Sequence, residues 1–213
     1  MNCPHCNGTV EKNEYFCSSC GGLVGTFSEL HFEETDLAFL RADISGFTSL
    51  CESMQAEEVM SFLNDVFMIF ANITEKYKGT VYQIIGDEMV SVFGLHKGSG
   101  FSHHMAVMSG EEMILKLREY AAGGKRKSIG LKIGCEIDRV KVLSIQESWQ
   151  NSYLITEGFA KAQILQKNAE ENSIYVGENL YQATKSFFEY QEIGEFIKDN
   201  LSVKAYRYSV AGK

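Results

Sequence analysis

The chain has 213 residues, with 20 Lys and Arg against 28 Asp and Glu, for a net charge of −8. That length holds one full domain plus a small appendage, and the acidic balance argues against nucleic acid or an anionic membrane surface as a partner. One proline, no apolar run near the ~20 residues of a membrane span, and no signal peptide after Met1 predict a globular, cytoplasmic protein that does not enter a membrane.

The first 25 residues carry Cys3-Pro-His-Cys6 and Cys17-Ser-Ser-Cys20, two CxxC pairs separated by ten residues. Two-residue spacing lets both thiolates of a pair reach one ion from a tight turn, and two such turns complete a tetrahedral site. A disulfide pair is the alternative, disfavoured without a secretory signal, and a redox CxxC would not come twice. Cys3, Cys6, Cys17 and Cys20 are therefore read as a closed, structural Zn²⁺ site in a ribbon over residues 1–25. A ribbon this small cannot bury a core, so the metal supplies its folding energy. Residues 26–35 read as a polar linker.

Residues 36–213 read as one α+β domain. Asp36 to Ile44 is a strand, broken by Ser45-Gly46-Phe47-Thr48. In the helix predicted over Ala56 to Lys78, Val59, Phe62, Leu63, Val66, Phe70, Ile73 and Tyr77 recur at a 3.6-residue period. Two β-rich runs, Thr80 to Ile85 and Met89 to Phe93, flank Gly86-Asp87-Glu88 and read as a hairpin. A second helix covers Phe101 to Ala121 and a basic loop follows at 123–127. Strands are expected at Ser128 to Cys135 and Arg139 to Ile145. A third helix over Phe159 to Ala169, a strand at Ser173 to Val176 and a short helix at Glu178 to Thr184 come next. Two β-rich runs, Phe187 to Ile193 and Leu201 to Val210, close the chain. The order β-α-β-β-α-β predicts a ferredoxin-like antiparallel sheet with both helices on one face.

In that topology the first and third strands are neighbours, which brings Asp43 and Asp87 to one sheet edge. Two carboxylates there, each near a glycine (Gly46, Gly86), suit Mg²⁺ bound jointly with a substrate's phosphates. Aspartate beside a turn also has a purely conformational explanation. Cys51 and Cys135 read as buried thiols, His103-His104 as a solvated helix start, and Met105, Met108 and Met113 as helix packing. Trp149 and Tyr153 read as core or dimer surface.

Asp43-Ile-Ser-Gly-Phe-Thr48 resembles the signature that opens the catalytic domain of class III adenylate and guanylate cyclases. Lys78-Gly-Thr-Val-Tyr-Gln-Ile-Ile-Gly-Asp-Glu-Met-Val-Ser-Val-Phe-Gly94 resembles its second signature, and the likeness weakens beyond Gly94. The resemblance implies head-to-tail dimers with active sites at the interface, either a homodimer or a heterodimer with a complementary cyclase-like domain. It implies two Mg²⁺ (or Mn²⁺) ions held by Asp43, Asp87 and the Ile44 carbonyl. It also implies a nucleoside triphosphate, ATP by default, held through Ser45, Gly46, Phe47, Thr48, Gln83 and Gly86 and converted to a 3′,5′-cyclic nucleotide and pyrophosphate.

The departures from the family pattern are as informative. The purine-selecting lysine four residues before the second aspartate is Gln83 here. The Gly-Ile-His-x-Gly stretch is Gly134-Cys-Glu-Ile-Asp138. On the third helix the ribose-orienting asparagine is matched by Ala160 and the transition-state arginine by Ile164, with Lys161 one position away, about 100° round the helix. The sequence thus retains the metal half of a cyclase site and lacks the other half. Three readings follow: a cyclase that is weak or needs a complementary partner, a lapsed domain that binds Mg-nucleotide and signals, or an adaptor.

Overall fold

The structure is a computed structural model that describes residues 2–11, 14, 17–22, 24, 32–52, 54–95, 100–123, 129–144 and 152–209. Most of the expected linker, the basic loop beyond Gly123, and Trp149 lie outside the described residues. The chain divides into two compact units, 1–33 with 142–153, and 34–141 with 154–213.

The larger unit is built on one sheet. Its elements run β1 (Phe32–Ser45), α1 (Phe47–Glu52), α2 (Ala56–Lys76), β2 (Gly79–Ile85), β3 (Glu88–Phe93), α3 (Ser102–Gly123) and β4 (Gly130–Ser144). They continue as β5 (Ser152–Ile155), α4 (Gly158–Asn168), β6 (Ser173–Gly177), α5 (Glu178–Thr184), β7 (Tyr190–Lys198) and β8 (Leu201–Tyr208). The strand order is β2-β3-β1-β4-β6-β8-β7, with β5 paired to β4. The ferredoxin-like arrangement holds, with β3 antiparallel to both β1 and β2. The sheet as a whole is mixed, because α4 carries the chain across and lays β6 parallel to β4.

The alternation of β1 decides which side chains reach the site. Ala38, Leu40, Ala42 and Ile44 enter the main core, against Phe62, Val66 and Phe70 of α2 and Val107, Ile114 and Leu117 of α3. Phe39, Arg41 and Asp43 therefore point to the opposite face. Helix α2 begins with a capping box between Gln55 and Glu58, which explains why Glu57-Glu58 sits at its start. On the other face α4 packs through Ile164 and Leu165 on Tyr175, Val203 and Ala205. Gly134 makes this approach possible, since a Cβ there would lie 2.2 Å from the Ala162 carbonyl oxygen and 2.3 Å from the Gln166 nitrogen.

Some sequence expectations change. The two strands expected on either side of Glu136-Ile-Asp138 are one continuous β4, because both acids find partners in the fold. Cys135 is buried, but Cys51 is only half-buried. His104 is not solvated: its ring packs on Phe101, Phe187 and Phe188, and its two ring nitrogens are buried without a hydrogen-bond partner. Met105 and Met113 pack in the core, whereas Met108 is exposed. The run expected from Phe187 begins as a turn, and β7 starts at Tyr190. No helix among the described residues is long and apolar enough to cross a membrane.

Candidate functional site

Asp43 is the third residue from the end of β1 and pairs directly with Glu88 of β3. Asp87 sits in the turn between β2 and β3, and its carbonyl accepts the N–H of Ile44 at 3.2 Å. That bond fixes the end of β1 to the hairpin turn, so the two aspartates share one sheet edge. Gly86 in this turn has φ +60° and Gly46, after β1, has φ +82°, left-handed conformations that glycine adopts without strain.

The carboxylates at this edge act on one another's charge. Asp43 is half-buried, and burial raises its pKa above the ordinary carboxylate range. The charges of Asp87 and Glu88 push it the same way, while Lys132 and Lys167 act against them. Beside Asp43, the Ser45 hydroxyl is buried without a hydrogen-bond partner. Two hard carboxylates that repel each other and an unsatisfied hydroxyl form a donor set that fits a small divalent cation together with a phosphate.

The other expected substrate residues are distributed unevenly. The Ile44 side chain is buried in the core, so only its backbone faces the site. Phe47 stacks on Phe62 with ring centroids 6.5 Å apart, which makes it an anchor for α1. Thr48 and Gln83 are exposed, and Gln83 lies opposite Val90, on the face of β3 that also carries Glu88. Ala160 is exposed, whereas Ile164 is 4% exposed and forms part of the α4 core cluster. Lys161 is tied to Asp138 at 3.0 Å and to Glu157 at 3.1 Å. Burial alone would raise Asp138, but hydrogen bonds from Thr156 and Lys161 hold it below its ordinary range.

Two charged neighbours escape the sequence reading. Arg41, two positions before Asp43 on the same face, forms a double hydrogen bond with Glu88, with Nη2 to Oε2 at 2.8 Å. Lys132 lies on β4 two residues before Gly134, on the face that α4 covers, and its charge reaches Asp43. A charged residue in phase with the site-facing positions of an otherwise apolar strand is the signal for both.

In the smaller unit the same turn occurs twice. Cys3 N–H bonds the Gly8 carbonyl and Asn7 N–H the Cys3 carbonyl; Cys17 N–H bonds Gly22 and Gly21 N–H bonds Cys17. Asn7 and Gly21 take the same left-handed φ, 62° and 70°. Amides of His5, Gly8, Ser19 and Gly22 donate to the sulfurs of Cys3, Cys6, Cys17 and Cys20 in turn. All four sulfurs lie within 4.8 Å of one another, with Cys3–Cys20 at 3.7 Å and Cys6–Cys17 at 3.6 Å. Four thiolates ~2.3 Å from one tetrahedral ion are ~3.8 Å apart, so this set fits Zn²⁺.

Comparison with known proteins agrees with the fold. The adenylate and guanylate cyclase catalytic domain matches residues 31–208, and the chain belongs to that family. The adenylyl cyclase CyaB of P. aeruginosa superposes with a TM-score of 0.75 at 22% identity, covering 84% of this chain and 96% of that one. The guanylate cyclase domain of RhGC from Catenaria anguillulae, solved with GTP, gives 0.72 at 19% identity over 84% and 98%. Among curated sequences, receptor-type guanylate cyclase gcy-23 of Caenorhabditis elegans is 30% identical over 93 residues, 43% of this chain and 9% of that protein. Human guanylyl cyclase C is 33% identical over 72 residues, 34% of this chain and 6% of its own length. The chain thus spans less than a tenth of the length of these two curated relatives.

Proposed function

We propose that this chain is the metal-bearing half of a nucleotidyl cyclase and makes cyclic nucleotide efficiently only beside a complementary cyclase-like protomer. Asp43, Asp87 and the Ile44 carbonyl would hold two Mg²⁺ or Mn²⁺ ions per site. When bound, the metal acidifies the ribose 3′-hydroxyl and neutralises charge on the phosphates. The 3′-oxygen loses its proton and bonds the α-phosphorus, and the α–β phosphoanhydride bond breaks to release pyrophosphate. Ser45 and the amides that follow it line the phosphate side, with Lys132 as a further cation.

The observation that carries this reading is the fate of α4. Ile164, matched to the transition-state arginine, is consumed by the core, and Ala160 offers no hydrogen bond. Losing one preorganised donor to developing charge costs about 10²–10³ in rate, and two about 10⁴ or more. A homodimer would combine two metal sites with two impaired α4 helices. In the ribbon, Cys3, Cys6, Cys17 and Cys20 would hold one structural Zn²⁺ with no open position for catalysis.

The test is a cyclase assay of the purified chain with Mg²⁺ or Mn²⁺ and ATP, GTP, CTP or UTP. It is repeated after mixing with a class III domain that keeps its α4 Asn and Arg but has alanine at both metal aspartates. The expected result is about 10⁴-fold more product in the mixture than from the chain alone, abolished by Asp43→Ala. Full activity from the chain alone would overturn the partner requirement. No product in either case, with Mg²⁺-dependent nucleotide binding intact, would favour the lapsed, nucleotide-sensing reading.

A further inference from the structure

Glu88 follows Asp87 in sequence and faces Asp43 directly across the β1–β3 ladder. Directly opposed residues of an antiparallel pair share a face, with Cβ atoms about 5 Å apart. Three carboxylates are therefore within reach of one edge, and the charge of Glu88 is felt at Asp43. Among the described residues, however, only the four cysteines gather three or more ligand atoms closely enough for one ion. Both oxygens of Glu88 are instead taken by Arg41.

Arg41 is 8% exposed, an unusual burial for an arginine in a strand. Its direct partner on β3 is Val90, so it reaches diagonally along the shared face to take both oxygens of Glu88. The fork matches the carboxylate plane and fixes its direction as well as its charge. The third edge of the guanidinium lies 3.5 Å from the Phe159 carbonyl in the first turn of α4. Phe159 is in turn wedged between Phe39 at 4.6 Å and Tyr82 at 4.9 Å. The arginine is thus seated by the sheet and by α4, and it cannot follow Glu88 toward the aspartates.

We propose that Arg41 is a positioning residue of the metal site: it sequesters Glu88, so that the divalent cations are held by Asp43, Asp87 and the Ile44 carbonyl without a third carboxylate. The proposal rests on the metal reading of those two aspartates. It also gives the otherwise costly burial of Arg41 and Glu88 a role that packing does not supply. With Arg41 removed, an unpaired carboxylate beside the site adds a unit of negative charge and a possible third ligand. With Glu88 neutralised, the freed guanidinium adds a unit of positive charge to the same edge. The two changes act with opposite sign on cation affinity, and together they cancel.

The test is Mn²⁺ binding to the zinc-loaded full chain without nucleotide, followed by electron paramagnetic resonance and calorimetry. The site-specific part is the binding lost in Asp43→Ala. Arg41→Met is expected to tighten that binding roughly tenfold and Glu88→Gln to weaken it by a similar factor. The Arg41→Met/Glu88→Gln double variant should return to within about threefold of wild type, and Arg41→Lys, which keeps the charge but not the fork, should fall between wild type and Arg41→Met. Circular dichroism checks that each variant is folded, and Glu88→Gln, an isostere, keeps the test open if Arg41→Met fails to fold. Both single variants weakening binding, or neither shifting it, would overturn the proposal. Wild-type Mn²⁺ binding unaffected by Asp43→Ala would overturn the metal reading and the proposal with it.

Discussion

Ala160 and Ile164 lie four residues apart on α4, one turn along the same side of the helix, yet Ala160 is exposed and Ile164 is 4% exposed. Ala160 faces outward from the first turn of α4, while the second turn packs Ile164 on Leu165, Tyr175, Val203 and Ala205. An arginine at position 164 would have to leave this cluster or bury an unpaired charge in it. Ile164→Arg should therefore cost about 3–5 kcal/mol, a Tm drop on the order of 10 °C for a domain of this size. Adding Ala160→Asn should not create activity in the chain alone, because the new arginine is not held toward the dimer cleft. Thermal melts and the cyclase assay check both statements. A stable, self-sufficient double variant would show that the core at 164 is plastic and that only two side chains separate this chain from an independent enzyme.

The parts of the molecule that were legible in the sequence are those governed by short-range rules. The helix at Ala56–Lys76 followed from its 3.6-residue apolar period, and the β2–β3 hairpin from two β-rich runs around Gly86-Asp87. The nearness of Asp43 and Asp87 followed from topology, since in a split βαβ unit the first and third strands must be neighbours. What stayed hidden depends on partners distant in the chain. Glu136 and Asp138 look like strand breakers until Leu180 and Lys161 are seen to satisfy them. Arg41 looks like an ordinary strand-end charge until the register sets Glu88 within its reach, 47 residues away. Ile164 could be recognised as a departure, but not as a core residue, because its cluster is assembled from β6 and β8.

Among the described residues the N-terminal segment packs Cys3, Val10 and Cys17 with Val24 against them, and a ribbon of this length cannot bury enough to fold unaided. Its stability should come from the metal, where structural zinc supplies roughly 10–16 kcal/mol at neutral pH. Purified protein should carry about one zinc per chain, and Cys17→Ser should reduce this to a small fraction, measured by elemental analysis. A strong chelator should release the ion and leave the melting transition of the larger unit in place, since that unit has its own extensive core. Full zinc retention in Cys17→Ser would rule out the four-cysteine site.

Glu136 is 3% exposed and takes the place where the family pattern has a histidine. One oxygen accepts the N–H of Ile137 at 2.8 Å and of Leu180 at 3.2 Å. The other lies against Gly177, where an added Cβ would be only 1.8 Å away. Burial pushes its pKa from 4.5 to about 7, against the pull of the two amides and of Lys161, with Asp138 adding to the rise and the buried Cys135 thiol as its chain neighbour. Between those values the folded protein binds a proton that the unfolded chain has released. The resulting stability is complete below about pH 4.5 and is lost as pH rises through 7, a change on the order of 3 kcal/mol. Glu136→Gln keeps the acceptor oxygen and removes the ionisation, so its melting temperature should match wild type near pH 5 and exceed it near pH 8.5. Thermal melts of the two proteins across that range would settle the matter, and parallel curves would show that Glu136 stays ionised in the fold.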